Sequence, residues 1–342
     1  MNKYSKILVS IIISTYNDEQ YIEEAVDSIL NQSHQNIEVI VINDASTDGT
    51  LKKLEKYGDK IILLNNKINQ KLAHNLNKGI LLSHGKYIAR MDADDISLKN
   101  RIAKQVKYME THPEIDICGS YACTFGASST VLKYPLENEK IKCALLFENA
   151  LCHPTVMFRK SSIDFLYDES LSASQDYELW SRVVWNKKIS NIPEIFLKYR
   201  VHSKQTRFVN GGKQKAGAIM ARKNMLNKFG KEVVSFEDDF LDLCSLGKIR
   251  SKDDLKRIED ILKKIVQINE RNKIYDTVYI KEMAAKFYYL NWMYSLDSED
   301  VDYQTMKNSS FSFIIRELSL KEKLRLRLYH LKKYLKFGNN NV

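Results

Sequence analysis

The sequence predicts an α/β fold, a mostly parallel, doubly wound sheet with flanking helices, followed by a C-terminal helical region. Three observations carry this. Short β-branched apolar runs alternate with helical stretches of about ten to fifteen residues through the first third of the chain. Each run stops at a polar cluster. From residue 210 onward the pattern is helical, rich in Lys and Tyr, with few turn signals.

The run 7–13 is apolar on both faces, as in a central parallel strand, and Asp18 is placed to cap a helix over 19–30. A second strand over 37–42 leads through Asn43-Asp44-Ala45-Ser46-Thr47-Asp48-Gly49 into a helix over 51–57. The third unit has a strand over 61–64, a loop over 65–70 and a helix over 72–83. A fourth strand, over 87–91, stops abruptly at Asp92-Ala93-Asp94-Asp95. A helix over 98–112 and a strand over 115–125 follow. The rhythm then loosens into a helix over 138–147, a strand-like 153–159, a helix opening at Gln175 and a last strand over 195–202. These elements divide the chain into an α/β domain over 1–205 and a helical region over 206–342, with helices at 211–229, 237–246, 251–271, 278–296 and 321–336.

Right-handed crossovers bring the ends of parallel strands to one rim, where ligands bind. Thr15 to Asn17, Asp44, Asn69 and Asp92 to Asp95 should therefore converge. Alone, Asp92-Ala93-Asp94-Asp95 fits a solvated turn ahead of the next helix. As the fourth polar strand end in succession it fits a cluster of hard oxygen ligands for Mg²⁺ or Mn²⁺. No GxGxxG or Walker-type loop occurs, so a metal rather than backbone amides would hold a phosphate.

Composition narrows the partners. The 342 residues, 44% hydrophobic and 28% charged, describe a globular chain. A formal net charge of +10 favours partners that carry phosphate. The basic excess lies largely in the tail while the predicted site is acidic, which argues against nucleic acid. Five cysteines, an odd number without zinc-type spacing, fit reduced thiols and a cytoplasmic setting. Lys3 and Lys6 precede a short apolar run that meets polar residues instead of a cleavage site, so 7–13 reads as a buried strand and not a signal peptide. No apolar stretch approaches the ~18 residues of a membrane span. Leu324, Leu328, Leu331 and Leu335 share one helical stripe, with Lys321, Lys323, Arg325, Arg327, Lys332, Lys333 and Lys336 around it. Such a helix either lies peripherally on an anionic membrane, here the inner face, or packs its leucines on preceding helices.

Six segments together resemble the family 2 glycosyltransferases of the GT-A fold, over residues 7–205. They are Val9-Ser10-Ile11-Ile12-Ile13-Ser14-Thr15-Tyr16-Asn17, Ile40-Val41-Ile42-Asn43-Asp44-Ala45-Ser46-Thr47-Asp48-Gly49-Thr50, Leu76-Asn77-Lys78-Gly79, the Asp92-Ala93-Asp94-Asp95 box, Gln175-Asp176-Tyr177-Glu178-Leu179-Trp180 and Tyr199-Arg200-Val201-His202. Tyr87-Ile88-Ala89-Arg90 and His153-Pro154-Thr155-Val156-Met157 make the chain most similar to bacterial enzymes of lipooligosaccharide, O-antigen or capsule synthesis, especially β-1,3-N-acetylglucosaminyltransferases.

The resemblance implies an inverting transfer from a UDP-sugar, with an N-acetylglucosamine or galactose type favoured. The acceptor would be a hydroxyl of a lipid-linked glycan precursor. By motif, Thr15, Tyr16 and Glu19 would hold uridine and ribose, with Asn17 and Ala93 in the same donor set, and Asp44 would accept from uracil. Asp92 would lie near ribose and metal, and Asp94 would coordinate Mn²⁺ or Mg²⁺, with His202 as a further metal ligand. Asn77 and Arg90 would assist at the donor, and His153 would lie in the acceptor site. Asp176 takes the place of the general base, with Glu178 the lesser candidate. Two departures stand out: Gln175 replaces the usual Glu before the base, and Leu76 stands where many relatives carry Arg. The competing readings are a nucleotidyltransferase, whose usual Gly-rich phosphate loop Ser14-Thr15-Tyr16-Asn17 lacks, and a non-catalytic nucleotide-sugar binding protein.

Overall fold

The computed structural model describes residues 3–127, 129–202, 211–244, 249, 251–296 and 301–317. The chain forms two compact units, Met1–Met225 and Leu226–Val342. The basic helix expected over 321–336 lies outside the described residues.

The first unit opens with β1 (Val9–Thr15), α1 (Ile22–Leu30), β2 (Ile37–Asn43), α2 (Thr50–Glu55), β3 (Ile62–Asn65), α3 (Lys71–Leu82) and β4 (Tyr87–Asp92). Their strands run parallel in the order β3-β2-β1-β4. Val9, Ile11 and Ile13 pack on one face with Val39, Val41, Tyr87, Ala89 and Met91, and Ile12, Ile40 and Ile88 are buried on the other. That two-sided burial is why β1 and β2 read as continuous apolar runs. Register sets the rim: Thr15 lies opposite Asn43 and Ser14 opposite Asp92, so these strands end level.

The sheet continues through β5 (Ile96–Ser97), β6 (Ile117–Gly126), β7 (Val131–Leu132), β8 (Met157–Arg159) and β9 (Ile189–Val201), with α4 (Arg101–Thr111), α5 (Asn138–Ala144) and α6 (Gln175–Val183) between them. Here the expectation that all strands end on one rim is corrected. β8 is antiparallel to both β4 and β6, and β5 and β7 are antiparallel to β9 and β6. The stretch 153–159 yields a strand only from Met157, after a 3₁₀ turn holding Pro154, which cannot donate to a ladder. β9 starts six residues earlier than the 195 expected, because a bulge opposite Ser120 to Ala122 absorbs Pro193. A helix α7 (Gly211–Leu226) closes the unit.

The second unit is helical in its described residues, with α8 (Glu237–Leu243), α9 (Lys252–Asn272), α10 (Thr277–Ser295), α11 (Tyr303–Lys307) and α12 (Ile314–Glu317). Ser251 caps α9 by accepting from the Asp254 amide, and Asp276 caps α10 by accepting from Val278 and Tyr279. Asn269 ties the turn between α9 and α10, donating to the Tyr275 carbonyl at 2.9 Å and accepting its amide at 2.8 Å. No described helix is long and apolar enough to cross a membrane. No disulfide joins the five cysteines, four of which are buried.

Candidate active site

The acid box follows β4 directly. One carboxylate oxygen from each of Asp92, Asp94 and Asp95 lies within 4.8 Å of the others. The Arg90 guanidinium, 3% exposed, forks onto the Asp92 carboxylate, donating from Nη1 to Oδ2 at 2.9 Å and from Nη2 to Oδ1. Arg101, itself buried, donates from Nη2 to the Arg90 carbonyl at 2.7 Å and fixes the strand end from beneath.

β9 holds the box from the other side. The Arg200 amide donates to Asp95 Oδ1 at 2.9 Å, and Arg200 Nε donates to the Asp94 carbonyl at 2.7 Å. Its guanidinium lies 4.6 Å from the Tyr21 ring and 4.4 Å from the Phe125 ring, and it pairs with Glu24. His202 Nε2 is 2.9 Å from Asp94 Oδ2.

Charge in the box is unbalanced. Burial raises the Asp95 carboxyl well above its ordinary range, with Asp92 and Asp94 adding to the shift. Burial raises Asp92 as well, against the pull of Arg90. Asp18 is pushed up to about 6, first by burial and further by Asp94 and Asp92. Asp95 Oδ2 is buried without a hydrogen-bond partner among the described residues. Clustered carboxylates, an orphaned buried oxygen and one arginine already committed to Asp92 make a donor set that fits a hard divalent cation.

The loops beside the box are cross-linked. Thr15 Oγ1 donates to Asp18 Oδ2 at 2.8 Å. Asn17, at φ 59°, accepts the Thr47 amide on Oδ1 at 2.8 Å, and its own amide donates to Ser46 Oγ. Glu19 Oε2 accepts the Gly49 amide at 3.0 Å. Tyr16, 48% exposed, stands open on this rim, and Ala93 is buried within the box. The Asp44 carboxylate accepts from Asn66, from the Gln70 amide at 2.7 Å and from the Lys71 amide at 2.9 Å, so it shapes the 66–71 loop. Asn77 gives both amide ends to the 167–169 segment, donating to the Tyr167 carbonyl and Glu169 and accepting the Tyr167 amide. Asp18 was expected to cap a helix over 19–30. The helix instead starts at Ile22, and the Asp18 carboxylate turns back to Thr15 and the Tyr16 amide.

Asp176 lies in the first turn of α6, two residues beyond Ser174, whose φ is 56°. Its Oδ2 accepts from Asn149 Nδ2 at 2.7 Å. Burial raises its carboxyl, while the Tyr177 amide, Asn149 and Arg90 pull it down. Asp176 and Asp92 thus share the field of Arg90, and Asp176 adds to the upward shift of Asp92. Glu178, itself buried, is spent elsewhere, in an ion pair with the exposed Arg182 at 2.6 Å. His153 Nε2 meets the Tyr167 hydroxyl at 2.8 Å, and burial holds its ring well below the usual histidine range, hence neutral.

Three contributors escaped the sequence reading. Arg200 had a readable signal, since it alternates with His202 at strand period and so shares its face. Asp18 sits three residues after Thr15 on the rim loop. Asn149 follows no motif.

The glycosyl transferase family 2 model matches residues 10–165. An uncharacterized glycosyltransferase of Haemophilus influenzae is 37% identical over 247 residues, covering 66% of this chain and 76% of the relative. The chain belongs to glycosyl transferase family 2. The O-antigen biosynthesis glycosyltransferase WbnJ of Escherichia coli is 32% identical over 212 residues, covering 58% of this chain and 82% of WbnJ. In fold, this family 2 chain is similar to S. aureus TarS 1–349 in complex with UDP-GlcNAc. The TM-score is 0.57 at 16% identity, over 85% of this chain and 89% of that one. The sheet, the acid box after β4 and the helical C-terminal region accord with the GT-A fold.

Proposed function

We propose that this family 2 glycosyltransferase is an inverting, metal-dependent enzyme that moves a sugar from a UDP-sugar to a hydroxyl of a cell-surface glycan precursor. The observation that carries it is the carboxylate cluster of Asp92, Asp94 and Asp95 within the same field as the separate carboxyl Asp176. The two acidic groups divide the chemistry.

Asp94 and Asp92, with His202 beside them, are the residues that would hold Mn²⁺ or Mg²⁺. That cation would supply Lewis-acid stabilisation of the charge gathering on the departing diphosphate. Thr15, Tyr16, Asn17 and Glu19, on the rim loop, are assigned to uridine and ribose. Asp44 is assigned to the uracil ring, its carboxylate also holding the 66–71 loop through Asn66 and the Gln70 and Lys71 amides. Asp176 takes the proton of the acceptor hydroxyl. The acceptor oxygen then bonds to the anomeric carbon as the bond from that carbon to the diphosphate oxygen breaks, and UDP departs. A single displacement inverts the anomeric centre. The Arg90 guanidinium, forked onto Asp92, also acts on the Asp176 carboxyl and so couples the two acidic groups.

Support for the donor comes from the TarS complex with UDP-GlcNAc, and for the acceptor class from WbnJ in O-antigen biosynthesis. An N-acetylglucosamine or galactose type of sugar and a lipid-linked acceptor follow from the motif resemblance. The test is release of nucleoside diphosphate from a panel of UDP-sugars and GDP-sugars with Mn²⁺ and then with EDTA. Turnover abolished by EDTA is expected; undiminished turnover in EDTA, or turnover of GDP-sugars alone, would overturn the reading.

A further inference from the structure

Helix α7 lies beyond the segment that the family model matches and beyond the last strand, yet it packs against both flanks of Asp176. On one flank, Ser174 Oγ donates to the Gln214 carbonyl at 3.0 Å. Gly217 faces the same turn. A Cβ added at 217 would lie 2.5 Å from the Ala173 carbonyl oxygen and 2.9 Å from Ser174 Cβ, so any larger residue must push the turn away. On the other flank, the Arg222 guanidinium donates to the Phe147 carbonyl from Nη2 at 2.9 Å and from Nε at 3.2 Å. Phe147 stands two residues before Asn149, which donates to Asp176. Asn224 Nδ2 adds a bond to Ser181 Oγ at 3.0 Å, fastening α7 along α6.

We propose that α7 is the positioning element of the catalytic base, with Gly217 and Arg222 as its positioning residues. Gly217 lets the helix close on the 173–174 turn, which aims the first turn of α6. Arg222 anchors the 147–149 segment, which delivers Asn149 to Asp176. The carboxylate is therefore oriented by two loops that α7 holds in register. Displacing a reacting group by ~1 Å costs on the order of 10²-fold in rate. The acid box is clamped instead by β4 and β9. Disturbing α7 should thus slow the chemical step and leave donor and metal binding alone. The inference rests on Asp176 as the base.

The test uses the full chain, Mn²⁺ and UDP-N-acetylglucosamine, or the UDP-sugar that the wild type hydrolyses fastest, with water as acceptor. Arg222→Ala should lower kcat about tenfold, with donor KM and Mn²⁺-dependent UDP affinity changed less than about twofold. Arg222→Lys should recover most of the loss. Asn149→Ala should resemble Arg222→Ala, and the double variant should be no slower than the slower single, because both act on one hydrogen bond. Gly217→Ala, monitored for melting temperature, should give the same split between kcat and KM if Arg222→Ala fails to fold. Multiplicative losses in the double variant, or UDP affinity falling in step with kcat, would overturn the proposal. An Asp176→Asn enzyme of full activity would instead remove the base assignment beneath it. An inactive Asp176→Asn beside fully active Arg222→Ala and Gly217→Ala would remove only the role of α7.

Discussion

Nε2 of His202 lies 2.9 Å from Oδ2 of Asp94, joining two strand ends 108 residues apart in sequence. β4 and β9 are not neighbours in the sheet, since β8 and β6 lie between them. The chain makes the connection itself. Leaving the acid box, it pairs Ile96 with Lys198 and Ser97 with Leu197, so the box hangs between β4 and the end of β9. An imidazole and a carboxylate so placed can bind one cation together or each other, which makes their contributions separable by mutation. Asp94→Ala should reduce turnover by about 10² or more and abolish the gain in UDP affinity on adding Mn²⁺. His202→Ala should weaken Mn²⁺-dependent UDP binding by about tenfold. Calorimetric titration of UDP with and without Mn²⁺ reads both. Equal affinity in the two titrations of wild type would remove the metal from this site.

Arg200 gives a second prediction. Its amide holds Asp95, its Nε holds the Asp94 backbone, and its guanidinium lies over both the Tyr21 and Phe125 rings. Lysine keeps the charge and the amide but has neither the planar fork nor the stacking surface. Arg200→Lys should therefore lower stability by about 1–2 kcal/mol and Mn²⁺-dependent UDP affinity by about tenfold. Urea unfolding and the same titration measure the two effects. A variant indistinguishable from wild type would show that the box stands without this clamp.

How far the sequence revealed this molecule depends on whether a residue acts through local pattern or through distant partners. β1, β2 and β4 were legible because burial on both faces writes itself as an apolar run. Their polar ends were legible because register aligns them. The antiparallel insertion of β8 was not, since three residues of strand after a proline carry almost no periodic signal. Asp176 could be placed by motif, but its partner Asn149 and the brace from Arg222 arise from loops meeting in space. Asp18 was misread because an acid ahead of a helix has two local uses, to cap the helix or to turn back. The Thr15 hydroxyl and Tyr16 amide settled which one.

The Asp176 carboxyl governs the pH dependence. Burial raises it, and the base works only when deprotonated, so kcat should climb with pH through an acid limb above the ordinary aspartate value near 3.9 and then level. Arg90 is among the groups holding it down. Arg90→Ala should move the limb to higher pH. Asp176→Asn should lower kcat by about 10²–10⁴ while leaving Mn²⁺-dependent UDP affinity unchanged. Profiles of kcat between pH 5 and 9 test the order of the three proteins. An acid limb that Arg90→Ala leaves in place would detach it from Asp176.

Asp18 yields a prediction of opposite sign to the usual behaviour of folded-state carboxylates. Its carboxyl is pushed up to about 6, first by burial and then by Asp94 and Asp92, while Thr15 and the Tyr16 amide oppose the shift. A folded-state value above the unfolded one near 3.9 means that the charged form is less stable in the fold. The cost is complete above pH 6, is relieved as pH falls through 6, and vanishes below about 4. Asn in its place keeps an oxygen to accept from Thr15 and removes the charge. In EDTA, Asp18→Asn should be more stable than wild type at pH 7.5 by at most about 3 kcal/mol, and the two should converge near pH 4. Asp92 and Asp95 titrate in both proteins, so the difference between them isolates residue 18. A divalent cation in the box would offset the repulsion that Asp18 feels. Adding Mn²⁺ should therefore stabilise wild type more than the variant. Urea unfolding at pH 4 and 7.5, with Mn²⁺ and with EDTA, measures each term. A variant no more stable than wild type at pH 7.5 in EDTA would mean that neither burial nor the acid box raises Asp18, and equal stabilisation of the two proteins by Mn²⁺ would mean that the box does not act on it.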